Sequence, residues 1–453
     1  MQLGDFIELK RGYDLPKKHR SAGKIPLVSS AGVSDHHSEA KVRGPGVVTG
    51  RYGTIGEVFY IEDDYWPLNT TLYVRDFKGN DPLFTYYFLK TIDYRQYSDK
   101  AAVPGVNRNH LHTAEITVPT SVAEQRRIAS ILSAFDDKIQ INHQINQTLE
   151  QMAQAIFKSW FVDFEPVKAK VAVLEAGGSE EDSQLAAMQA ISGKDADQLA
   201  QIQAEQPEQY AELQATAELF PSAMQDSELG EIPEGWEVQP VGNIAETVAM
   251  GPFGSDIKRD SFVDQGVPVI NGQQLSGLFL RDGKNNYIAE GHADRLRKSN
   301  VCSGDIVITH RGTLGQVSII PDRCRFKRYV VSQSQCFIRV NRDTLPPMFL
   351  VLFLRSHAGQ HALLSFKSQV GVPAISRPVT NIRKIELTVP PPCVLRAFQK
   401  IATSFQENIM SRVGEISTLT QLRDTLLPKL LSGELTIPEA KEQVAEQQDV
   451  AHV

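Results

Sequence analysis

Apolar residues along this chain follow two kinds of pattern, and each kind occurs twice. Short alternating or clustered runs punctuated by glycine come first: Val47 to Val58, Phe59 to Ile61 and Leu72 to Val74, and later Ile306 to Ile308, Val317 to Ile320 and Cys336 to Val340. Runs of this length and β-branched content predict strands. Leu83 to Leu89 and Pro347 to Leu354 predict helices packed on those sheets. The second pattern is helical. Ile128, Ile131, Phe135, Ile139, Asn142, Ile145, Leu149, Met152 and Ile156 recur at steps of three and four, and so do Ile401, Phe405, Ile409, Val413, Ile416, Leu419, Leu422, Leu426 and Leu430. Such stripes are coiled-coil seams. Ser121 and Glu124 have capping-box spacing where the first stripe begins, Gly433 is placed as a C-cap after the second, and Pro428 predicts a kink in its last turn. Each stripe would span roughly 45 Å of helix. Pairing the two with each other is the economical burial, which predicts Ile145, Leu149 and Met152 opposite Leu419, Leu422 and Leu426.

The strand-forming halves are also copies of one another. Gly46 to Val58 aligns without gaps on Asp305 to Val317, bringing Gly53, Thr54 and Gly56 onto Gly312, Thr313 and Gly315. Further on, Val103 and Pro104 with Arg108 match Val372 and Pro373 with Arg377, and Thr117 to Pro119 match Thr388 to Pro390. A period of roughly 260 residues is far longer than that of a solenoid repeat, about 20 to 50 residues, so the chain carries two copies of a domain. The shared Gly-Thr-x-Gly lies between two strand-like runs, where glycine supplies positive φ for a tight turn. The fold class expected is α+β, two repeated α/β domains each followed by a long helix.

Charge modifies this picture. The 453 residues carry 47 Lys and Arg against 54 Asp and Glu, a net −7. Residues 165–235 hold 15 acids against Lys168, Lys170 and Lys194, and the tail from Gly433 holds five acids against Lys441. Removing the −12 segment and the −4 tail leaves a body of net +9, which permits DNA binding. The acidic segment, with Gly177, Gly178 and an Ala/Gln-rich composition, reads as a linker with one or two exposed helices. Met348 to Leu354 is the longest apolar run, and the acidic start from Met1 to Glu8 lacks the basic and apolar regions of a signal peptide. A cytoplasmic protein is expected, with no membrane partner and with reduced Cys302, Cys324, Cys336 and Cys393, whose spacing suits no zinc knuckle.

Catalytic chemistry is sparse. No Gly-x-Gly-x-x-Gly or Walker A sequence occurs. His357 and His361 lack the glutamate of a zinc helix, and Asp35, Glu39 and Lys41 make only a faint nuclease-like set. No catalytic residue and no metal ligand is expected. Binding chemistry is better represented. Lys17, Lys18, His19 and Arg20, and later Arg323, Arg325, Lys327 and Arg328, are basic clusters suited to phosphates, whereas base edges need arginine forks and side-chain amides. Candidates are Arg51 with Tyr52, Asn107, Arg108 and Asn109 in the first copy, and Asn271, Gln273, Gln274, Arg311, Gln333 and Arg377 in the second. For each, the alternative is a solvated loop residue. Paired placement favours Arg51, Arg311, Arg108 and Arg377.

Three stretches extend the reading: Ile156 to Phe164 (Ile-Phe-Lys-Ser-Trp-Phe-Val-Asp-Phe), Asp226 to Trp236, and Leu422 to Gly433. With them, nearly the whole chain resembles the specificity subunit of type I restriction-modification systems. The resemblance implies two target recognition domains, at 1–120 and 236–391, and two spacer helices, at 121–164 and 392–433, packed antiparallel; the acidic linker takes 165–235 and the acidic tail 434–453. It implies a non-catalytic subunit that reads a split site on double-stranded DNA. Two methyltransferase subunits, which bind S-adenosylmethionine, would assemble around it, and restriction subunits using ATP and magnesium could join them. This chain itself would bind no cofactor. Two features depart from the family: the second helix opens at Pro390 without the Glu124–Gln125 pair of the first, and the linker is longer and more acidic than the resemblance requires. A fused restriction-modification enzyme and a scaffold that binds protein alone are the alternatives.

Overall fold

A computed structural model of the chain describes residues 1–98, 105–283, 285–368, 371–435 and 438. They fall into two compact units, Met1–Gln144 with the chain from Val413 onward, and Ile145–Arg412. Val103 and Pro104 of the expected repeat and most of the acidic tail lie outside the described residues.

In the first unit, a four-stranded antiparallel sheet has the order Glu8–Arg11, Thr71–Asp76, Gly46–Gly50, Val58–Ile61. A second sheet joins Gly32–His37 antiparallel to Ile25–Ser29, which runs parallel to Trp66–Pro67. Helix Pro82–Lys90 covers the first sheet, with Phe84, Tyr87, Phe88 and Leu89 buried against it, and is capped by Asp81, whose carboxylate accepts from the Phe84 amide. The second unit repeats the four-stranded sheet strand for strand, while its second sheet is enlarged from three strands to five. Its antiparallel sheet has the order Ala245–Met250, Gln335–Val340, Ile306–Thr309, Val317–Ile319. In its second sheet Val267–Ile270 runs parallel to Tyr329–Val331 and antiparallel to Asn286–Ile288. Helix Pro347–Arg355 takes the place of Pro82–Lys90. The turn conformation expected of the shared glycines is present: Gly53, Gly56, Gly312 and Gly315 have φ of +80°, +84°, +95° and +86°.

The two long helices are Val122–Phe161 and Pro392–Ser432. Within the first unit Ile128, Ala129, Leu132 and Phe135 pack with Leu419, Leu422, Leu426 and Leu430. Here the Arg423 guanidinium donates to Asp136 at 2.5 Å, and Lys138 pairs with Glu415 at 3.4 Å, so the segments run antiparallel. Within the second unit Ala153, Phe157, Trp160 and Phe161 pack with Phe398, Ala402 and Ile409. The expected seam therefore needs correcting in its middle. Leu149 belongs to the second unit's core, Leu419, Leu422 and Leu426 to the first unit's, and Met152 and Val413 are 48% and 47% exposed. Ile145 is half-buried. Asn142 is buried as the stripe placed it, and the buried face continues through Asn146 and Ala153, because at 3.6 residues per turn it passes through these polar and small residues rather than through the nearest large apolar ones. Pro428 lies inside the second helix, which continues to Ser432, and Gly433 follows at φ +74°.

Gln125 shows what opens the first helix. It is fully buried; its Oε1 accepts from the Asp81 amide at 3.0 Å, and its Nε2 donates to Asn80 Oδ1 and the Pro119 carbonyl, each at 2.8 Å. Ser121 supplies one half of the expected capping box, accepting from the Glu124 amide at 3.4 Å. Replacing Gln125 with leucine strands the Asp81 amide and the Pro119 carbonyl, and should cost about 1–3 kcal/mol for each group left unpaired. Urea unfolding of the variant checks this. At the corresponding place the second helix starts on Pro392, with Val394 and Leu395 buried in place of a polar clamp.

The segment expected to be a linker is folded. It forms helices Glu165–Glu175, Glu180–Ser192, Ala196–Glu205 and Pro207–Glu218 and a hairpin of Met224–Ser227 with Gly230–Pro233. Ala187, Met188, Leu199 and Ala217 make a small core of their own, while Val167, Phe220 and Ile232 enter the main core of the second unit. Among the described residues no helix is long and apolar enough to cross a membrane.

Candidate nucleic-acid interface

Strand ends place the candidate residues. In the first unit Arg51 and Tyr52 follow strand Gly46–Gly50, and both backbone amides donate to the Thr70 carbonyl, at 2.9 and 3.2 Å. The Arg51 guanidinium lies over the Tyr52 ring, 4.5 Å from its centroid. Gly105 pairs with Tyr52 across an antiparallel bridge, and the Val106 amide donates to the Arg51 carbonyl at 3.0 Å. A Cβ on Gly105 would stand 2.2 Å from the Tyr52 ring, so a larger residue there would have to displace that ring. These contacts lay residues 105–109 alongside Arg51 and Tyr52. Asn107 caps helix Arg108–His112 by accepting from the Asn109 amide at 3.0 Å, which leaves Arg108 and Asn109 exposed on its first turn. Arg51, Tyr52, Asn107, Arg108 and Asn109 thus form one surface.

The basic cluster of this unit is divided. Lys17 and Lys18 are exposed on a single 3-10 turn, Lys17–His19. Arg20 turns back instead, donating to Asp35 at 3.0 Å and to the Leu15 carbonyl. Its charge is paired within the chain, so a phosphate there would have to compete with Asp35. A backbone hydrogen bond from His36 and the Arg20 guanidinium hold the Asp35 carboxyl below its ordinary range, so Asp35 is a stable anion serving the ion pair.

In the second unit Asn271, Gln273 and Arg311 line one polar depression, together with Ser276, Thr309, Thr313, Gln316, Ser332, Ser334 and Gln335. It sits where the parallel strands Val267–Ile270 and Tyr329–Val331 end, beside the end of Ile306–Thr309. Its floor is fixed: Gln316 donates to the Gly272 carbonyl at 2.9 Å and accepts from Thr309 at 3.0 Å. Asn271 spends its carbonyl oxygen on the Gln273 amide at 2.9 Å, and Gln273 and Arg311 are exposed. Gln274 faces inward, accepting from the Asn271 amide and donating to Asn285. Thr313, Gln316, Ser334 and Gln335 were not among the expected residues, although their nearness in sequence to Arg311 and Gln333 was a usable signal.

Arg311 pairs across an antiparallel bridge with Ala374, and the Ile375 amide donates to the His310 carbonyl at 2.8 Å. The Val106 to Arg51 bond therefore corresponds to the Ile375 to His310 bond. Arg108 and Arg377 are equivalent, but Arg51 corresponds to His310, and Tyr52 to Arg311. The gapless alignment already sets Arg51 on His310, so the paired placement of Arg51 and Arg311 is one of adjacent rather than equivalent positions, which in a strand-end geometry points the two side chains differently. His310 is buried, its Nε2 donates to the Gln333 carbonyl at 3.2 Å, and burial pushes its pKa down, so it is a neutral structural residue. Arg377 is exposed and has φ +39°, an uncommon conformation for a non-glycine residue. Lys327 is exposed but lines none of this depression. Arg328 is held by Asp294 at 2.7 Å and by Glu290, so a phosphate there would have to compete with two carboxylates.

Known proteins resemble the chain throughout. The family described as the type I restriction modification DNA specificity domain matches residues 1–151 and 233–422. The specificity subunit of the type I restriction enzyme HindI from Haemophilus influenzae is 31% identical over 396 residues, covering 84% of each chain. The MjaIX specificity subunit from Methanocaldococcus jannaschii is 25% identical over 392 residues, covering 82% of this chain and 74% of its own. Among solved structures, the S subunit of a type I system from M. genitalium covers 95% of each chain at 16% identity, with a TM-score of 0.47. The Thermoanaerobacter tengcongensis HsdS subunit covers 96% of each at 14% identity, with a TM-score of 0.31.

Proposed function

Because this chain belongs to the type I restriction-modification specificity family, we propose that it reads a bipartite site on double-stranded DNA, one block through each repeat. The observation that carries the proposal is the repetition itself. Two copies of one four-stranded sheet present the exposed Arg108 and Arg377 at equivalent helix starts and Tyr52 and Arg311 at equivalent strand ends, with arginine the residue type that reads base edges most often. The long helices set the distance between the blocks, and at 40 and 41 residues they would run about 60 Å each. That exceeds the roughly 34 Å between half-sites one helical turn apart.

In this reading the chain is non-catalytic. Two methyltransferase subunits assemble on it and bind S-adenosylmethionine, restriction subunits bring ATP and magnesium, and the whole works in the cytoplasm. The chain's own residues bind and orient DNA. Phosphate neutralisation dominates affinity, and a body charge of +9 spread over two repeats supplies little of it. The purified chain alone should therefore bind duplex DNA weakly and with little sequence preference, gaining specificity when co-purified with its methyltransferase subunit. Fluorescence anisotropy on site-containing and scrambled duplexes at physiological salt measures this; tight, specific binding by the chain alone would contradict the division of labour.

A further inference from the structure

Phe253 is the most exposed large apolar side chain among the described residues, at 85%. It sits on the loop after strand Ala245–Met250, and that loop is held firmly. The Gly251 amide donates to the Gln335 carbonyl at 2.9 Å, and a Cβ on Gly251 would stand 1.9 Å from the Ser332 carbonyl oxygen, so the loop root lies backbone against backbone. Pro252 is buried. The Phe253 amide donates to Asp256 Oδ2 at 3.1 Å and the Asp256 amide returns a bond to the Phe253 carbonyl at 2.9 Å. A Cβ on Gly254 would lie 2.3 Å from Gln333 Oε1, which places the loop tip directly on Gln333. Ser332 and Ser334, the neighbours of Gln333, line the depression that holds Arg311 and Asn271.

Resting on the DNA-recognition reading above, we propose that Phe253 is a wedge that enters between adjacent base pairs of double-stranded DNA, unstacking one step of the block read by the second repeat. Apolar side chains inserted in this way kink duplexes, and deformable steps accept them at lower cost, so the wedge selects sequence without a hydrogen bond. Its surroundings suit DNA better than a protein groove. Gly254, Ser255 and Asp256 follow it, and then the exposed Lys258 and Arg259, cations of the kind that hold phosphates, come next in the chain. The Asp256 carboxylate is occupied by the turn itself. The first repeat has no counterpart. After its strand Glu8–Arg11, Gly12 packs on Leu68 as Gly251 packs on Ser332; Tyr13, turned inward to meet the Tyr73 hydroxyl at 2.9 Å, takes the place of the buried Pro252, and the exposed Asp14 stands where Phe253 does. The two blocks are therefore read by different physics, one of them with a distorted step.

The test uses the full chain assembled with its methyltransferase subunit. The site is first defined by methylation mapping, and duplexes then carry 2-aminopurine at successive positions of each block. Apart from the target bases that the methyltransferase subunits flip out, binding should raise 2-aminopurine fluorescence at one step of one block, and at none in the other. Phe253→Ala should abolish the rise and weaken site binding roughly 5- to 150-fold, the range of a lost base–aromatic stack, while Phe253→Trp keeps both. So exposed a ring adds nothing to the core, and the alanine variant should fold as the parent does. A flat signal in a complex that binds its site would overturn the wedge and leave DNA recognition standing. Reduced recovery of the methyltransferase subunit with Phe253→Ala, at unchanged DNA affinity of the assembled complex, would make Phe253 a protein contact and also overturn it. No site preference in the parent complex would overturn both readings.

Discussion

Truncating Phe161 to alanine should lower the stability of the second unit by about 3–5 kcal/mol, the range for deleting a buried aromatic ring. Phe161 closes the first long helix and is buried in the centre of an aromatic cluster. Its ring centroid lies 5.0 Å from those of Phe349 and Phe398, 5.2 Å from Phe157, and 5.9 Å from Trp160 and Trp236, mostly edge-on or tilted. Helix end, sheet-covering helix, second long helix and the tryptophan that opens the second repeat all meet at this one ring. A cavity there cannot be filled by a single neighbour, which places the cost at the upper end. Whole domains hold only about 5–15 kcal/mol. Hydrogen exchange should therefore show faster opening of amides in Ile306–Thr309 and Gln335–Val340, with those of Gly46–Gly50 unchanged. A loss below about 1 kcal/mol would mean that the cluster is not a junction.

Arg377 should separate stability from recognition. It stands before Pro378 as the residue leading into helix Pro378–Arg383, with φ +39° and an exposed side chain. A left-handed non-glycine residue costs roughly 1–2 kcal/mol, and such strain persists where the surrounding structure enforces it and function uses it. Arg377→Gly relieves it and surrenders about 0.5–1 kcal/mol of unfolded-chain entropy in exchange. The variant should be as stable as the parent or up to about 1 kcal/mol more so, while losing about 1–3 kcal/mol of discrimination at the base position that the proposed reading assigns to its guanidinium. Thermal unfolding and competition binding on single-base variants measure the two. Arg377→Lys should not restore the discrimination, since an ammonium cannot form the bidentate fork.

Much of this architecture was legible in the chain. The gapless match around Gly53 to Gly56 and Gly312 to Gly315 carries backbone conformation as well as identity, because φ near +80° to +95° favours glycine, and so it marked both the repeat and its turns. The long helices announced themselves by length. Their inner face did not, because apolar counting selects Ile145 and Met152 where the helix buries Asn146 and Ala153. The acidic segment read as a linker because its own core is built of alanines with one methionine and one leucine, a pattern of low hydrophobicity. Among the site residues, sequence could mark Arg20 and Arg328 as basic but could not show that Asp35, Glu290 and Asp294 fold back onto them. Phe253 was invisible for the opposite reason. An aromatic residue beside a strand reads as core, and only the glycines packed at its base turn it outward.

Methylation mapping of Arg108→Ala and Arg377→Ala, each expressed with the methyltransferase subunit, tests the central claim most directly, since these two arginines occupy equivalent places in the two repeats. The parent should modify a site made of two short blocks separated by a fixed unread gap. Arg108→Ala should relax one base position in one block, Arg377→Ala one position in the other, and the gap should be identical in all three maps. A variant that alters both blocks together, or a parent site that is a single uninterrupted block, would contradict the account.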